Sequence, residues 1–248
     1  MMRTTAILNL KGGVAKTTTV INMAAILATY GYKVLTVDAD SQCNLSEFLG
    51  EDKIKLGTLT DGLRSGADRM FAHPSNVAGV DLIPADDSLM DADLSAIKSS
   101  KLHVSCIKEY LAAHPDYDIA LIDCPPAFNA ATAAALLAAD DVIIPIKLDA
   151  FSLRGMGNLL RQIANMRQLN PALHITGLLP TMCYKSPLIR DSLVQLKKSE
   201  FNVLPYIRRT AKVDDMTFAQ TPVIVSSPKS AAAVDYKKLV KAYLEEVR

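Results

Sequence analysis

The chain has 248 residues, half of them hydrophobic, and a formal net charge of +1. That much apolar material can build one substantial core, so a single domain over residues 1–248 is the simplest organisation, and the near-zero balance by itself argues against a protein that coats nucleic acid by bulk charge. Four scattered cysteines with no C-x-x-C pair speak against a disulfide framework or a zinc site, and the short apolar run before Lys11 is neither a signal peptide nor a membrane span, so the expected setting is cytoplasmic.

The first element is a strand ending at Leu8, followed by a glycine-containing loop and a helix that starts near Thr17 and stops at Gly31. Such a junction gathers backbone N–H groups and the positive end of a helix dipole, the arrangement that binds phosphate. Gly12 and Gly13 allow close backbone approach. Lys16 supplies a cation for the terminal phosphates, and Thr17 a hydroxyl for magnesium. Against the template G-x-x-x-x-G-K-[ST], Leu10 and Ala15 replace the two glycines. Taken alone, the stretch is also compatible with a helix start after a Gly-Gly turn.

A second strand, Lys33 to Val37, delivers Asp38 and Asp40 to its carboxyl end, the ligand-binding edge of an open α/β sheet. Two carboxylates beside a phosphate loop suit magnesium and an attacking water, although an Asp-rich turn capping the next helix has the same form. Residues 45–80 mix helical stretches with glycines, Gly79–Ala85 forms a strand and turn, and Asp86–His114 carries a helical pattern. The run ending at Asp123 and followed by Pro125-Pro126 is a buried strand that places a carboxylate near a metal, or a simple strand end. An alanine-rich helix over 131–139 precedes a strand over 141–146 and a helix from Phe151 to about Leu169. Further strands cover 174–182 and 203–209, a helix covers 188–201, and a final helix carries Leu239, Val240 and Tyr243 on one face. Alternating strands and helices imply a P-loop α/β fold, a mostly parallel sheet with helices on both faces.

The stretch Lys11-Gly12-Gly13-Val14-Ala15-Lys16-Thr17-Thr18 resembles the deviant phosphate loop of the ParA/MinD class of ATPases. Asp38-Ala39-Asp40-Ser41-Gln42-Cys43-Asn44 is similar to that class's D-x-D-P-Q-x-N element, with Ser41 in place of proline, and Asp123-Cys124-Pro125-Pro126 is similar to its D-x-P-P element. The resemblance implies an ATP hydrolase using ATP and Mg2+. Nucleotide contacts would come from residues 11–18 (Lys11, Gly12, Gly13, Val14, Ala15, Lys16, Thr17 and Thr18), with Met182 and Pro205 beside the base. Thr17, Asp38 and Asp123 would lie on the metal side, and Asp40 would position the attacking water. Lys11 corresponds to the class's signature lysine, which reaches into the other subunit of a homodimer with ATP sandwiched between the copies. Lys11, Lys16 and Asp40 are thus the expected catalytic set. Departures from the class pattern fall on Cys183-Tyr184 and on Arg208, which stands where proline is usual.

Residues 185–248 carry 12 Lys and Arg against 7 Asp and Glu, whereas 1–184 carry 15 against 19. Arg190, Lys197, Lys198, Arg208, Arg209 and Lys212 are candidate contacts to nonspecific double-stranded DNA, with scattered solubilising lysines as the bland alternative. With no helix-turn-helix before the loop, the resemblance implies a nucleoid-associated ParA-like partition ATPase stimulated by a centromere-binding ParB-like partner. A MinD-like positioning ATPase on membrane is the alternative, its final helix binding lipid; Glu245 and Glu246 argue for core packing instead. A non-hydrolysing nucleotide-sensing module is the other alternative.

Overall fold

The computed structural model describes residues 2–50, 56–92 and 102–247. Seven strands form one sheet: β1 (Arg3–Ile7), β2 (Val34–Asp38), β3 (His73–Pro74), β4 (Val80–Ile83), β5 (Ile119–Asp123), β6 (Asp141–Lys147) and β7 (His174–Thr181). Their order is β3-β4-β2-β5-β1-β6-β7, parallel throughout except for the short β3–β4 pair. β2 and β5 are buried at every residue, and β6 at all but its last, as expected of apolar runs covered on both faces. Residues 203 and 208 each make one parallel bridge to the β7 side, so the expected strand there is reduced to two isolated contacts.

Helices cover both faces. One carries α1 (Lys16–Thr29), α2 (Asn44–Leu49), α8 (Ala211–Ala219), α9 (Val223–Ser226) and α10 (Ala231–Glu246), and the other α3 (Leu59–Ser65), α4 (Cys106–Ala113), α5 (Ala130–Ala138), α6 (Ala150–Met166) and α7 (Pro187–Leu196). Part of the helical pattern expected over 86–114, residues 93–101, lies outside the described residues, as does the side chain of Arg154.

The final helix resolves one sequence-level ambiguity. Its apolar face (Tyr236, Leu239, Val240, Tyr243) is fully buried, packed in the same core as Val20, Met23 and Leu27 of α1. Tyr243 Oη lies 2.8 Å from Thr5 Oγ1. A face committed to the core cannot also enter a bilayer. No helix among the described residues is long and apolar enough to cross a membrane.

The order β2-β5-β1 brings the carboxyl ends of three strands together, the crevice where open α/β sheets hold ligands. Register makes this specific: Asp123 pairs with Ile7 on one side and with Asp38 on the other.

Candidate active site

The loop from Leu8 to Ala15 is pinned at both ends. Asn9 Nδ2 donates to the Pro145 carbonyl (2.7 Å), and Asn9 Oδ1 accepts from the Lys11 amide (2.9 Å). Thr181 Oγ1 donates to the Val14 carbonyl at 3.0 Å, binding the loop to the end of β7. Gly13 and Ala15 are left-handed, with φ of 66° and 68°. A Cβ added to Gly12 or Gly13 would meet nothing within 4 Å. Neither glycine relieves a clash with a neighbour: Gly13 takes up a left-handed backbone, and Gly12 leaves the space in front of the loop open.

Ala15 is the N-cap of α1, supplies no capping side chain, and the first turn holds no acidic residue. The first N–H groups of a 14-residue helix are thus left for an external anion. The alanine that departs from the template holds a left-handed conformation that favours glycine, at a cost of about 1 kcal/mol. Ala15→Gly is expected to be tolerated. Ala15→Val, β-branched in a left-handed position, should lower unfolding free energy by about 1–3 kcal/mol in denaturant melts; an unchanged midpoint would show that the loop does not hold this geometry.

Lys16 is buried with its Nζ 3.5 Å from the Lys11 carbonyl. Burial pushes its ammonium below the ordinary lysine range, and the charges of Asp123 and Asp40 partly offset this. Asp123 is also buried, and neither carboxylate oxygen has a hydrogen-bond partner of good geometry. Burial and the neighbouring Asp38 raise its pKa well above the usual carboxylate range, against the Thr17 side chain and Lys16, which favour the charged form. A buried, unsatisfied carboxylate beside a lysine and a threonine calls for a cation. This donor set fits magnesium, which binds through one or two carboxylates, waters and substrate phosphates rather than a protein cage. Among the described residues no group of three or more His, Cys, Asp or Glu could hold a metal by itself.

Asp38 is placed differently. One oxygen accepts from the Ser46 amide (2.8 Å) and hydroxyl (2.7 Å), the other from the Asp40 amide (3.1 Å). Burial pushes its pKa up to about 6, against the hydrogen bonds from Ser46. Asp40 is half-buried, accepts from the Gln42 amide at 3.0 Å, and lines the cleft with Gly12, Gly13, Lys16 and Thr17.

Two clefts meet at the loop. The first, about 490 Å³, is lined by residues 12–18 together with Asp40, Gln42, Asn44 and Pro126. The second, about 520 Å³, lies beyond Ala15 and Thr18 and is lined by Lys147, Asp149, Ile207, Arg208 and Arg209 among others. Met182, itself left-handed at φ 53°, lines both. Each is the size of a small-molecule site. Pro205 lines neither cleft, whereas Ile207 to Thr210, further along the same segment, line the second. Sequence reading missed Asp149, whose carboxylate receives the Lys11 ammonium with both contacts at 2.8 Å.

The basic candidates divide. Arg190, Arg208 and Arg209 converge on a groove of about 800 Å³ that also holds Lys185, Tyr184 and Tyr206. Lys197 and Lys198 are exposed just after α7, and exposed Lys212 pairs with Asp215 at 2.8 Å. Arg208, which lines that groove, is also tied down within the chain. Its amide, Nε and Nη2 all donate to the buried Asp235 carboxylate at 3.0, 2.7 and 2.8 Å, which holds the segment against α10.

The AAA_31 family model, described as an AAA domain, matches residues 2–175. The chain is 34% identical over 257 residues to the chromosome partitioning protein ParA of Caulobacter vibrioides, covering 100% of this chain and 96% of that protein. It is 33% identical over 242 residues to the sporulation initiation inhibitor protein Soj of Bacillus subtilis, covering 95% of this chain and 96% of Soj. Among solved structures it matches a cobyrinic acid a,c-diamide synthase from Mycobacterium smegmatis with bound ADP and magnesium, with a TM-score of 0.82 at 32% identity, over 100% of this chain and 96% of that one. The septum site-determining protein MinD of Pyrococcus horikoshii, complexed with Mg-ADP, shares the fold with a TM-score of 0.76 at 23% identity, over 98% of this chain and 96% of MinD.

Proposed function

The chain belongs to the ParA/Soj family of partition ATPases, and from that premise we propose that it hydrolyses ATP, pairs with a second copy when ATP is bound, and binds DNA nonspecifically as the pair. The observation that carries this reading is the meeting of the uncapped α1 terminus and the buried Lys16 at one cleft, with the unsatisfied Asp123 buried beside Lys16 and Thr17. Backbone N–H groups from 12–18 cradle the phosphates, and Lys16 neutralises charge that develops on the γ-phosphoryl oxygens. Asp40 positions the attacking water. Thr17 and Asp123 hold magnesium, directly or through water, with Asp38 behind them as an indirect partner. When bound, the ion neutralises phosphate charge. Lys11 reaches the partner copy's phosphates, so pairing reports ATP occupancy. The cleft beside Met182 and Ile207 takes the base.

The groove lined by Lys185, Arg190 and Arg209, with Lys197, Lys198 and Lys212 on the same tail, supports phosphate-backbone contacts without base readout. Pairing doubles those contacts and couples nucleotide to DNA by avidity. A centromere-binding partner of ParB type stimulates turnover, and the protein works on the nucleoid.

The test is binding to a generic duplex against salt, with ATP, ADP or no nucleotide. Binding should require ATP and be lost in Lys11→Ala. Arg190→Ala and Lys212→Ala should each reduce the slope of log K against log salt by about 1. Binding indifferent to nucleotide would overturn the coupling.

A further inference from the structure

We propose that Asp149 is a positioning residue that anchors Lys11 in the unpaired chain, so that Lys11 must leave it before serving a second copy. The inference rests on the reading of Lys11 given above. Lys11 Nζ contacts both Asp149 oxygens at 2.8 Å, and the two side chains are 34% and 29% exposed. Asp149 lies two residues past β6, its amide donating to the Lys147 carbonyl at 2.8 Å, which places it at the carboxyl edge of the sheet.

Three features make this contact exchangeable rather than permanent. Lys11's backbone is held by its own bonds, the amide to Asn9 and the carbonyl near Lys16, so only the side chain has to swing. A half-exposed ion pair is weak, far from the several kcal/mol lost when a buried pair is broken. A second cation, Lys147, stands 3.9 Å from the same carboxylate and stays when Lys11 departs. Asp149 is therefore not left uncompensated. A terminal phosphate carries more charge than one carboxylate and offers a stronger partner. ATP in the opposite copy thus draws Lys11 away, and Asp149 sets how much nucleotide is needed.

Light scattering of the full chain, titrated with a slowly hydrolysed ATP analogue and Mg2+, reads the half-pairing concentration. Asp149→Asn should lower it by about two- to fivefold, the range a half-exposed ion pair allows. Lys147→Gln, which removes the fallback cation, should move it upward. Asp116→Asn makes the same charge change beside Lys33, at the amino end of the strands, and should leave it in place. A half-pairing concentration in Asp149→Asn equal to or above wild type overturns the anchor alone. If Asp149→Asn melts too low to use, the Lys147→Gln shift decides, and a downward or null shift overturns the proposal. A wild type that stays monomeric at saturating analogue overturns the pairing reading and the anchor with it.

Discussion

Lys16→Ala is expected to abolish measurable ATP turnover, a fall of at least about 10²–10³-fold, the loss seen when one preorganised charge-stabilising group is removed. The argument begins with the cost of placing this lysine. It is the first residue of α1, nearly enclosed, and burial presses its ammonium toward the neutral form. Its own hydrogen bonding is poor: the acceptor is a carbonyl at the long distance of 3.5 Å. Two nearby carboxylates, Asp123 and Asp40, work against that loss of charge. A buried charge with poor local partners is a group waiting for a ligand. Removing it should also weaken ADP binding, while the protein still folds, because the lysine's own burial is unfavourable and Asp123 can protonate. Steady-state turnover, binding of a fluorescent ADP analogue and thermal melts separate these effects. Turnover within tenfold of wild type would place the catalytic charge elsewhere.

Fold and site were legible to different depths. The strands over 119–123 and 141–147 are built on continuous apolar runs, residues 119–122 and 142–146, and such runs have few alternatives once both faces must be covered. The loop was legible because its chemistry is local: Gly12, Gly13, Lys16 and Thr17 act through their own backbone and the helix that they start. Asp149 was not legible. An acid two residues past a strand is common, and only the sheet order, with β6 beside β1, sets it against Lys11. Arg208's ion pair was hidden for the same reason. Its partner Asp235 lies in α10, 27 positions onward, and no local pattern announces the pair. Helix α8 escaped because Ala211–Ala219 is polar and mostly exposed, with Met216 as its only buried residue. Its position is set by tertiary contacts, including Asn22 Nδ2 to Met216 Sδ at 3.4 Å.

Asp40→Ala should lower turnover by about 10²–10⁴-fold, the usual contribution of a positioned acid–base group, while leaving ATP-dependent pairing and DNA binding in place. The two neighbouring carboxylates make this a sharp comparison. Asp38 has both oxygens committed to Ser46 and to the Asp40 amide, and Ser46 Oγ in turn accepts from the Ala85 amide at 2.9 Å. It joins β2, α2 and the turn after β4, so Asp38→Ala should lower stability by about 1–3 kcal/mol by leaving those donors unpaired. Asp40 has only the Gln42 amide bound to one oxygen and otherwise faces the cleft. Its loss removes little structure. The two variants should therefore separate: Asp38→Ala in the melt, Asp40→Ala in turnover with ATP-loaded DNA binding retained and its release slowed. If Asp40→Ala instead loses DNA binding together with turnover, the carboxylate serves nucleotide binding or pairing rather than the attacking water, and the roles of the two aspartates must be exchanged.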